Sequence, residues 1–468
     1  MDLNLDWIGD EEGRELVNRF QEAYMSGFLP FFDVDDFETI IDFYLDGNKI
    51  DEAGIAINIA MEQHPSATGF SVRYARYLGG KREYYEALEL LNNIELIEMA
   101  NADVYVCKAE IYSLMNKHEM AIEEYKKALE FTENKEDLLS SIAFEYENKG
   151  DYLNAIKYLK IAIDENPETE HLLHELSFFY EITSKEEDAI EYFNHYVDKN
   201  PYSKLAWFNL GVFYNSMELY EKAIESYEFV IAIDEAFASA YFNIGNSYSG
   251  LKHYKKAVKY YKETFNYEEE DALTHTYIGE SYENLEDMQN ALIHYNIALN
   301  IDSNSAEAWV GLARVAVAEA DDIKAINFYK RAVEINPHNV DLAYDLAIVY
   351  MRNNNLEEAI VLFENIIDQD ENYIDAWINL SVCYTSENNF EKPIEVIEKA
   401  LESNDESASL WYRLAAYLYK NGKVQQAYYY IEKAMKMDFD LHIELLDYLP
   451  ELISESRFTD LVYTYKNS

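Results

Sequence analysis

The chain has 468 residues, 49% of them hydrophobic, with 15 Gly, 7 Pro and a formal net charge of −51. This is the composition of a folded chain without low-complexity linkers, and a surface so acidic repels phosphate backbones and anionic lipid headgroups, so nucleic-acid binding is not expected. No uncharged apolar run approaches the roughly 18–20 residues that span a bilayer, and the only two cysteines, Cys107 and Cys383, lie too far apart in sequence for a disulfide framework, so no membrane insertion and a cytoplasmic setting are expected.

Residues 1–33 open with MDLNLDWIGDEEG, which has neither the basic start nor the continuous apolar stretch of an export signal. Val17, Phe20 and Tyr24 then share one helical face that stops near Gly27, before FLPFF (28–32). An acidic segment followed by a capping helix is the simplest reading. A regulatory tail folding back on Arg73 and Arg76 is the alternative.

From Val34 onward one period organises the chain. AWFNLGVFYNS (206–216) returns at 240–250 as AYFNIGNSYSG, and the 34-residue spacing never slips over twelve units, residues 34–441. With Trp207 as position 4, position 20 is alanine in every unit except at Pro393, and position 8 is small in all but the first, as at Ala75, Gly211, Gly245, Gly279 and Ala415. Position 11 is usually tyrosine. Apolar residues at positions 4, 7, 8 and 11 form one helical stripe, and those at 20, 24, 27 and 28 a second. Small residues at 8 and 20 let two helices approach closely, while the rings at 4, 11 and 24 fill the remaining volume. Turn sequences such as ENKGD (147–151) and KNGK (420–423) separate the helices, and proline at position 32, as in Pro65, Pro167, Pro201 and Pro337, ends the second one. A single hairpin cannot bury both stripes, so the units must stack.

The W-x-x-L-G-x-x-Y and A-x-x-x-Y order of AWFNLGVFYNSMELYEKAIESY resembles the tetratricopeptide repeat, and the register holds across residues 34–441. The resemblance implies an all-α fold, an α-solenoid wound as a right-handed superhelix, with the first helix of each repeat lining a concave groove and the second outside. It also implies protein partners. After Leu441, HIELLDYLPELISESRFTDLVYTY is apolar and helical with a break at Pro450, so residues 442–468 read as capping helices.

No pattern along the chain supports catalysis, a cofactor or a metal. His171 and His174 stand three apart on a helix without a third ligand. DGNKIDE (46–52) lacks the alternating ligands of a calcium loop and falls where an inter-helix turn belongs. GNSYSG (245–250) sits inside a helix, and Cys107 and Cys383 have no base beside them. Pro393 falls in a first helical turn, where a missing N–H costs little. LKHYKKAVKYYKE (251–263) puts Lys252, Lys255, Lys256 and Lys259 on one face of an outer helix: either a solvated face partly neutralised by the following EEED (268–271), or a docking patch for an acidic partner.

The resemblance places positions 2, 5, 6, 9, 12 and 13 in the groove. In mid-array these are Phe144, His171, His174, Phe178, Phe208, Asn209, Phe242, Asn243 and Asn246, rings and amides suited to an extended peptide. Phe208, Asn209, Val212 and Asn215 read as free of the core. Further on come Arg314, Tyr344, Arg352, Asn379, Tyr412, Arg413 and Lys420, interrupted by Asp341, Asp345 and Asp375, a set suited to an acidic segment. The carboxylate clamp of chaperone-binding relatives, lysine at position 5 with asparagine at 9, is absent in every unit. The expected function is a non-enzymatic protein–protein interaction scaffold or adaptor that binds an extended or helical partner segment in its groove. The alternative is an architectural or self-associating subunit that uses its convex face and ends, the groove being filled by its own side chains.

Overall fold

The computed structural model describes residues 11–133, 135–166, 169–385 and 389–466. The proposed regulatory contact of the first ten residues, with Trp7, and the helix-ending role of Pro167 lie outside them. Among the described residues the chain forms twenty-seven α-helices and no strand element. Twenty-four of the helices, from Val34–Asp46 to Val424–Met437, are consecutive pairs that pack on each other and, within each of two compact units, on the next pair, as an α-solenoid requires. The chain divides into two compact units, residues 1–234 and 235–468.

In the first unit, the helix Glu11–Ser26 buries Val17 and Phe20, and the Phe20 ring meets Phe32, Phe37 and Tyr44 at centroid distances of 5.7, 6.1 and 6.5 Å. FLPFF thus contributes one of its phenylalanines to the core, Phe32, while Phe28 and Phe31 remain exposed. In the second unit the chain ends in His442–Tyr448, Pro450–Ser454 and Ser456–Lys466, whose Leu445, Leu449, Leu452 and Phe458 cover Tyr412, Ala415, Ile431 and Met435.

The small columns have a direct steric cause. A Cβ at Gly211 would lie 2.5 Å from the Tyr227 ring, and one at Gly245 would lie 2.5 Å from the Tyr261 ring. Position 8 is therefore small because the tyrosine at position 24 of the same pair lies flat against that backbone. Tyr295 is held from two sides, since Cβ atoms at Gly279 and Gly311 would come within 2.6 and 2.3 Å of it. Every position-20 alanine is fully buried. Pro393 is buried in the first turn of Glu391–Ser403, where its ring replaces the alanine without interrupting the helix.

Two further regularities recur at fixed positions. Position 15, between the paired helices, has positive φ in both units: Asn48, Arg82, Asn116, Gly150, Ser184 and Glu218 in the first, Lys252, Glu286, Ala320, Asn354 and Gly422 in the second, with φ between 50° and 77°. Tryptophans at position 4 donate their indole N–H to the carbonyl six residues earlier, Trp207 to Pro201 (3.0 Å), Trp309 to Ser303 (3.0 Å), Trp377 to Glu371 (3.0 Å) and Trp411 to Asp405 (2.7 Å). Those bonds fix the loop entering each repeat. Trp207 is only half-buried and stacks on Phe229 at 4.3 Å, so its part in the fold is a stack and a hydrogen bond rather than full burial.

Candidate functional site

In the first unit, a cavity of about 640 Å³ opens mainly on the first helices of repeats two to five, with Leu45, Asn48 and Ile50 of repeat one and the Tyr125 ring completing its wall. Arg76, Glu110, Ser113, Ser140, Ser141, Phe144, Glu147, His171 and Glu175 line it, every one from position 2, 5, 6, 9 or 12. Phe144 is 56% exposed, and Phe178, also at position 9 one repeat on, is 53% exposed. The Phe178 ring touches Phe179 at 5.8 Å; His171 and His174 are exposed beside these rings on the helix His171–Ile182.

Carboxylates dominate the polar side of this cavity. Burial pushes the Glu110 carboxyl up, with Arg76 opposing, and burial with the neighbouring Glu147 charge pushes Glu175 up. Arg76 contacts Asp46 (3.0 Å), Glu110 (3.2 Å) and Asp42 (3.7 Å), while Arg73 holds Asp42 (2.7 Å) and Glu38 (2.9 Å). The two arginines considered for the N-terminal tail already have carboxylates from the neighbouring helices. Glu145, 1% exposed, bonds His118 Nδ1 at 2.7 Å and so belongs to the wall. Sequence reading passed over Glu110, Glu147 and Glu175 because carboxylates are everywhere in this chain; their place in the groove columns was the usable signal.

Phe208 lies against the Tyr227 ring at 5.6 Å. Asn209 does not fit the reading that it is free of the core: it is 4% exposed, and its Nδ2 donates to the Leu173 carbonyl at 3.2 Å, tying one repeat to the last. The physical reason is that the helices His171–Ile182 and Lys204–Ser216 lie in contact, which brings the amide within reach of the neighbouring backbone.

In the second unit, the candidates have partners on their own or neighbouring helices. Phe242 packs on Tyr261 and Tyr277, both at 5.5 Å; Asn243 donates to Ser239 O (2.8 Å), and Asn246 Oδ1 accepts from Tyr261 Oη (2.8 Å). Arg314 forks onto Glu283 (2.8 and 3.1 Å) and reaches Glu280 (3.4 Å), and Tyr295 Oη donates to the same Glu283 at 2.7 Å. Arg352 pairs with Asp322 at 3.1 Å, and Asn379 donates to Tyr344 Oη at 2.8 Å. Tyr412, 2% exposed, donates to Asp438 O at 2.9 Å, and Arg413 is buried with its guanidinium 3.5 Å from the Tyr448 ring centre. Lys420 is exposed.

Among the described residues no three His, Cys, Asp or Glu side chains come together to hold a metal, and no helix is long and apolar enough to cross a membrane. Cys107 and Cys383 are buried, and burial pushes both thiols up.

Tetratricopeptide repeat family models match residues 102–135, 137–169, 205–237, 238–270 and 306–339, and a second such model matches 323–361 and 353–418. No curated protein matches the chain significantly. Similar solved structures include YrrB, described as a tetratricopeptide repeat protein with an unusual peptide-binding site (22% identity, 39% of this chain and 95% of that chain, TM-score 0.32). They also include the Cut9–Hcn1 hetero-tetramer of the APC/C (13% identity, 87% and 93%, TM-score 0.41) and a tetratricopeptide repeat protein from Parabacteroides merdae (14% identity, 53% and 98%, TM-score 0.40). Repeat period, helix pairing and family match agree: the chain belongs to the tetratricopeptide repeat family and, with it, to the protein–protein interaction scaffolds.

Proposed function

We propose that the face of repeats two to five binds an extended segment of a partner protein that presents an apolar or aromatic side chain together with lysine or arginine. The observation that carries this reading is the pair Phe144 and Phe178, both at position 9 of adjacent repeats and both more than half exposed, with Phe144 lining the cavity. Two exposed rings one repeat apart cost solubility and contribute nothing to the core, whereas they offer a partner large, rigid contact area. Glu147 and Glu175 supply the polar half, Glu110 being held by Arg76, since carboxylates in a partly desolvated cavity favour a cation beside them.

Selection from a displayed library of random dodecapeptides tests this, read against Phe144→Ala/Phe178→Ala and Glu147→Gln/Glu175→Gln. The expected result is enrichment of peptides combining aromatic and basic residues, which lose at least tenfold in affinity on the first variant and become less salt-sensitive on the second. Peptides that bind all forms equally would overturn the reading.

A second reading, assembly through the ends, is favoured by a separate observation: Met25, Phe28 and Phe31 at one end of the first unit, and Ile443, Ile453 and Tyr463 at the end of the second, are exposed. Trimming these caps would uncover Phe37 and Tyr44 or Tyr412, so point changes are the cleaner test. Sedimentation of Phe28→Ser/Phe31→Ser and Ile453→Ser/Tyr463→Ser should show loss of an oligomer if the ends associate, and no change if they do not.

A further inference from the structure

On the lysine-bearing helix Tyr254–Thr264 the repeat pattern accounts for two side chains, Lys256 over Tyr248 as Lys222 lies over Tyr214, and Lys262 on Tyr282 as Lys126 is on Tyr146; it does not account for Lys252, Lys255 and Lys259. Lys252, Lys255, Lys256, Lys259 and Lys262 fall within eleven residues that contain no carboxylate, in a chain of net charge −51. Of the EEED acids (268–271) that could partly neutralise the strip, two are engaged elsewhere. Glu270 holds His275 at 3.2 Å, and Asp271 caps the next helix, accepting from Thr274 N (2.8 Å) and Thr274 Oγ1 (2.6 Å). Glu263 reaches Lys259 at 3.5 Å, and Lys262 donates to Tyr282 Oη at 3.2 Å. Lys252, Lys255 and Lys256 hold no carboxylate among the described residues; Lys256 lies over the Tyr248 ring at 4.7 Å, and all three are exposed.

Local helix stability does not account for them either. Lys255 and Lys256 sit in the first turn, where the helix dipole disfavours cations and where this helix has no acid, whereas the second helices Asp322–Ile335, Leu356–Gln369 and Glu391–Ser403 each carry at least one, even though Lys324 and Lys392 share the position of Lys256. The lysines also surround a concavity of about 350 Å³, completed by His253, Tyr254 and Leu285. Lys255, Lys256 and Lys259 span about 6 Å along the helix at 1.5 Å per residue, and Lys252 stands in the turn just before it, so the strip matches a few residues of extended chain.

We propose that this strip is a docking surface for an acidic segment of a second protein, with the concavity taking one apolar side chain beside the acids. A narrow strip suits a single chain segment. A membrane plane needs a broader basic surface and would meet the exposed Glu268 and Glu269, and a second copy of this chain would bring another strongly negative body against the first.

The test is fluorescence anisotropy of a labelled dodecapeptide of Asp and Glu with one central Leu, titrated with the full chain at low and moderate salt. Binding should weaken with salt and fall at least tenfold in Lys255→Glu/Lys256→Glu/Lys259→Glu, while the control Lys330→Glu/Arg331→Glu leaves it unchanged. Thermal unfolding of the triple variant should be unchanged or shifted upward, because acids suit a first turn; a merely structural role predicts the opposite. The proposal is overturned if the wild-type chain shows no salt-sensitive binding, if the triple variant binds equally, if phosphatidylserine vesicles bind the strip in place of the peptide, or if the triple variant alone changes the protein's sedimentation.

Discussion

The first-helix face carries rings and polar side chains in both compact units, yet the two faces differ in what those side chains already touch. In repeats four and five, Phe144, Phe178, His171 and His174 stand exposed, Phe144 and His171 lining an open cavity. In repeats seven to twelve, Arg314, Arg352, Tyr344, Asn379, Tyr412 and Arg413 are engaged by carboxylates, tyrosines or a backbone carbonyl of the same unit. Position within the repeat decides which way a side chain points. Whether it is available depends on what the neighbouring repeats place within reach.

The largest expected effect is a direct contrast between two aromatics at groove positions. Tyr412→Ala removes a fully buried ring and its bond to Asp438 O, and should destabilise the second unit by about 3–5 kcal/mol, whereas Phe144→Ala should change stability by less than about 0.5 kcal/mol. Chemical denaturation read by hydrogen exchange in each unit would check both; equal losses would erase the distinction between the faces. Next in size is Arg314→Met. It leaves Glu280 and Glu283 together without their cation, and Glu280 is already pushed up by burial, so a loss of about 1–2 kcal/mol is expected for a partly exposed site.

Much of this architecture is legible in the chain. The alanine column, the Gly211 and Tyr227 complementarity and the helix limits follow from size and spacing, because steric exclusion acts between residues at fixed separation. Asn209 shows where that legibility ends. Its helical position faces the groove, but its bond runs to Leu173 thirty-six residues earlier, and no single-repeat pattern contains that distance. The same holds for Arg352 with Asp322 and for Asn379 with Tyr344: partner choice depends on the closeness of adjacent repeats, which the sequence gives only indirectly. The lysine strip left two readings open in the sequence, because spacing along the chain does not say what each acid of EEED touches: Glu270 is taken by His275 and Asp271 by the cap of the next helix, while Glu268 and Glu269 stand exposed.

A pH test sharpens the contrast, since the second unit holds a buried imidazole pair. His275 and His294 stack at 5.2 Å with their Nδ1 atoms 2.9 Å apart, enclosed by Phe265, Tyr282, Lys262 and Glu270. Burial, then Lys262 and His275, push the His294 imidazole down to about 4. Between its ordinary value near 6.5 and 4 the unfolded chain binds a proton that the folded chain refuses. Its contribution is therefore intact above the upper limit and falls as pH drops through the window, with a slope of at most about 1.4 kcal/mol per pH unit. Unfolding of the second unit measured from pH 7 to 4.5 should show this slope, and His294→Gln should flatten it; an unchanged slope in the variant would assign the effect to other groups.

The smallest effect concerns the position-15 turn, and it should be the same in both units. Glu218 in the first and Ala320 in the second each have φ of 59°, a left-handed conformation that costs a residue with a Cβ about 1–2 kcal/mol. Gly150 and Gly422 occupy the same place without that cost. Replacing Glu218 or Ala320 by glycine relieves the strain but frees the unfolded chain, so a net gain of about 0.5–1 kcal/mol is expected at each site, measured as a rise in the denaturation midpoint of the unit that carries it. The gain should be equal at the two sites because the turn is set by the repeat alone. A gain confined to one unit would mean that even this shared turn feels its neighbours, extending to the backbone the difference already seen in the side chains of the two faces.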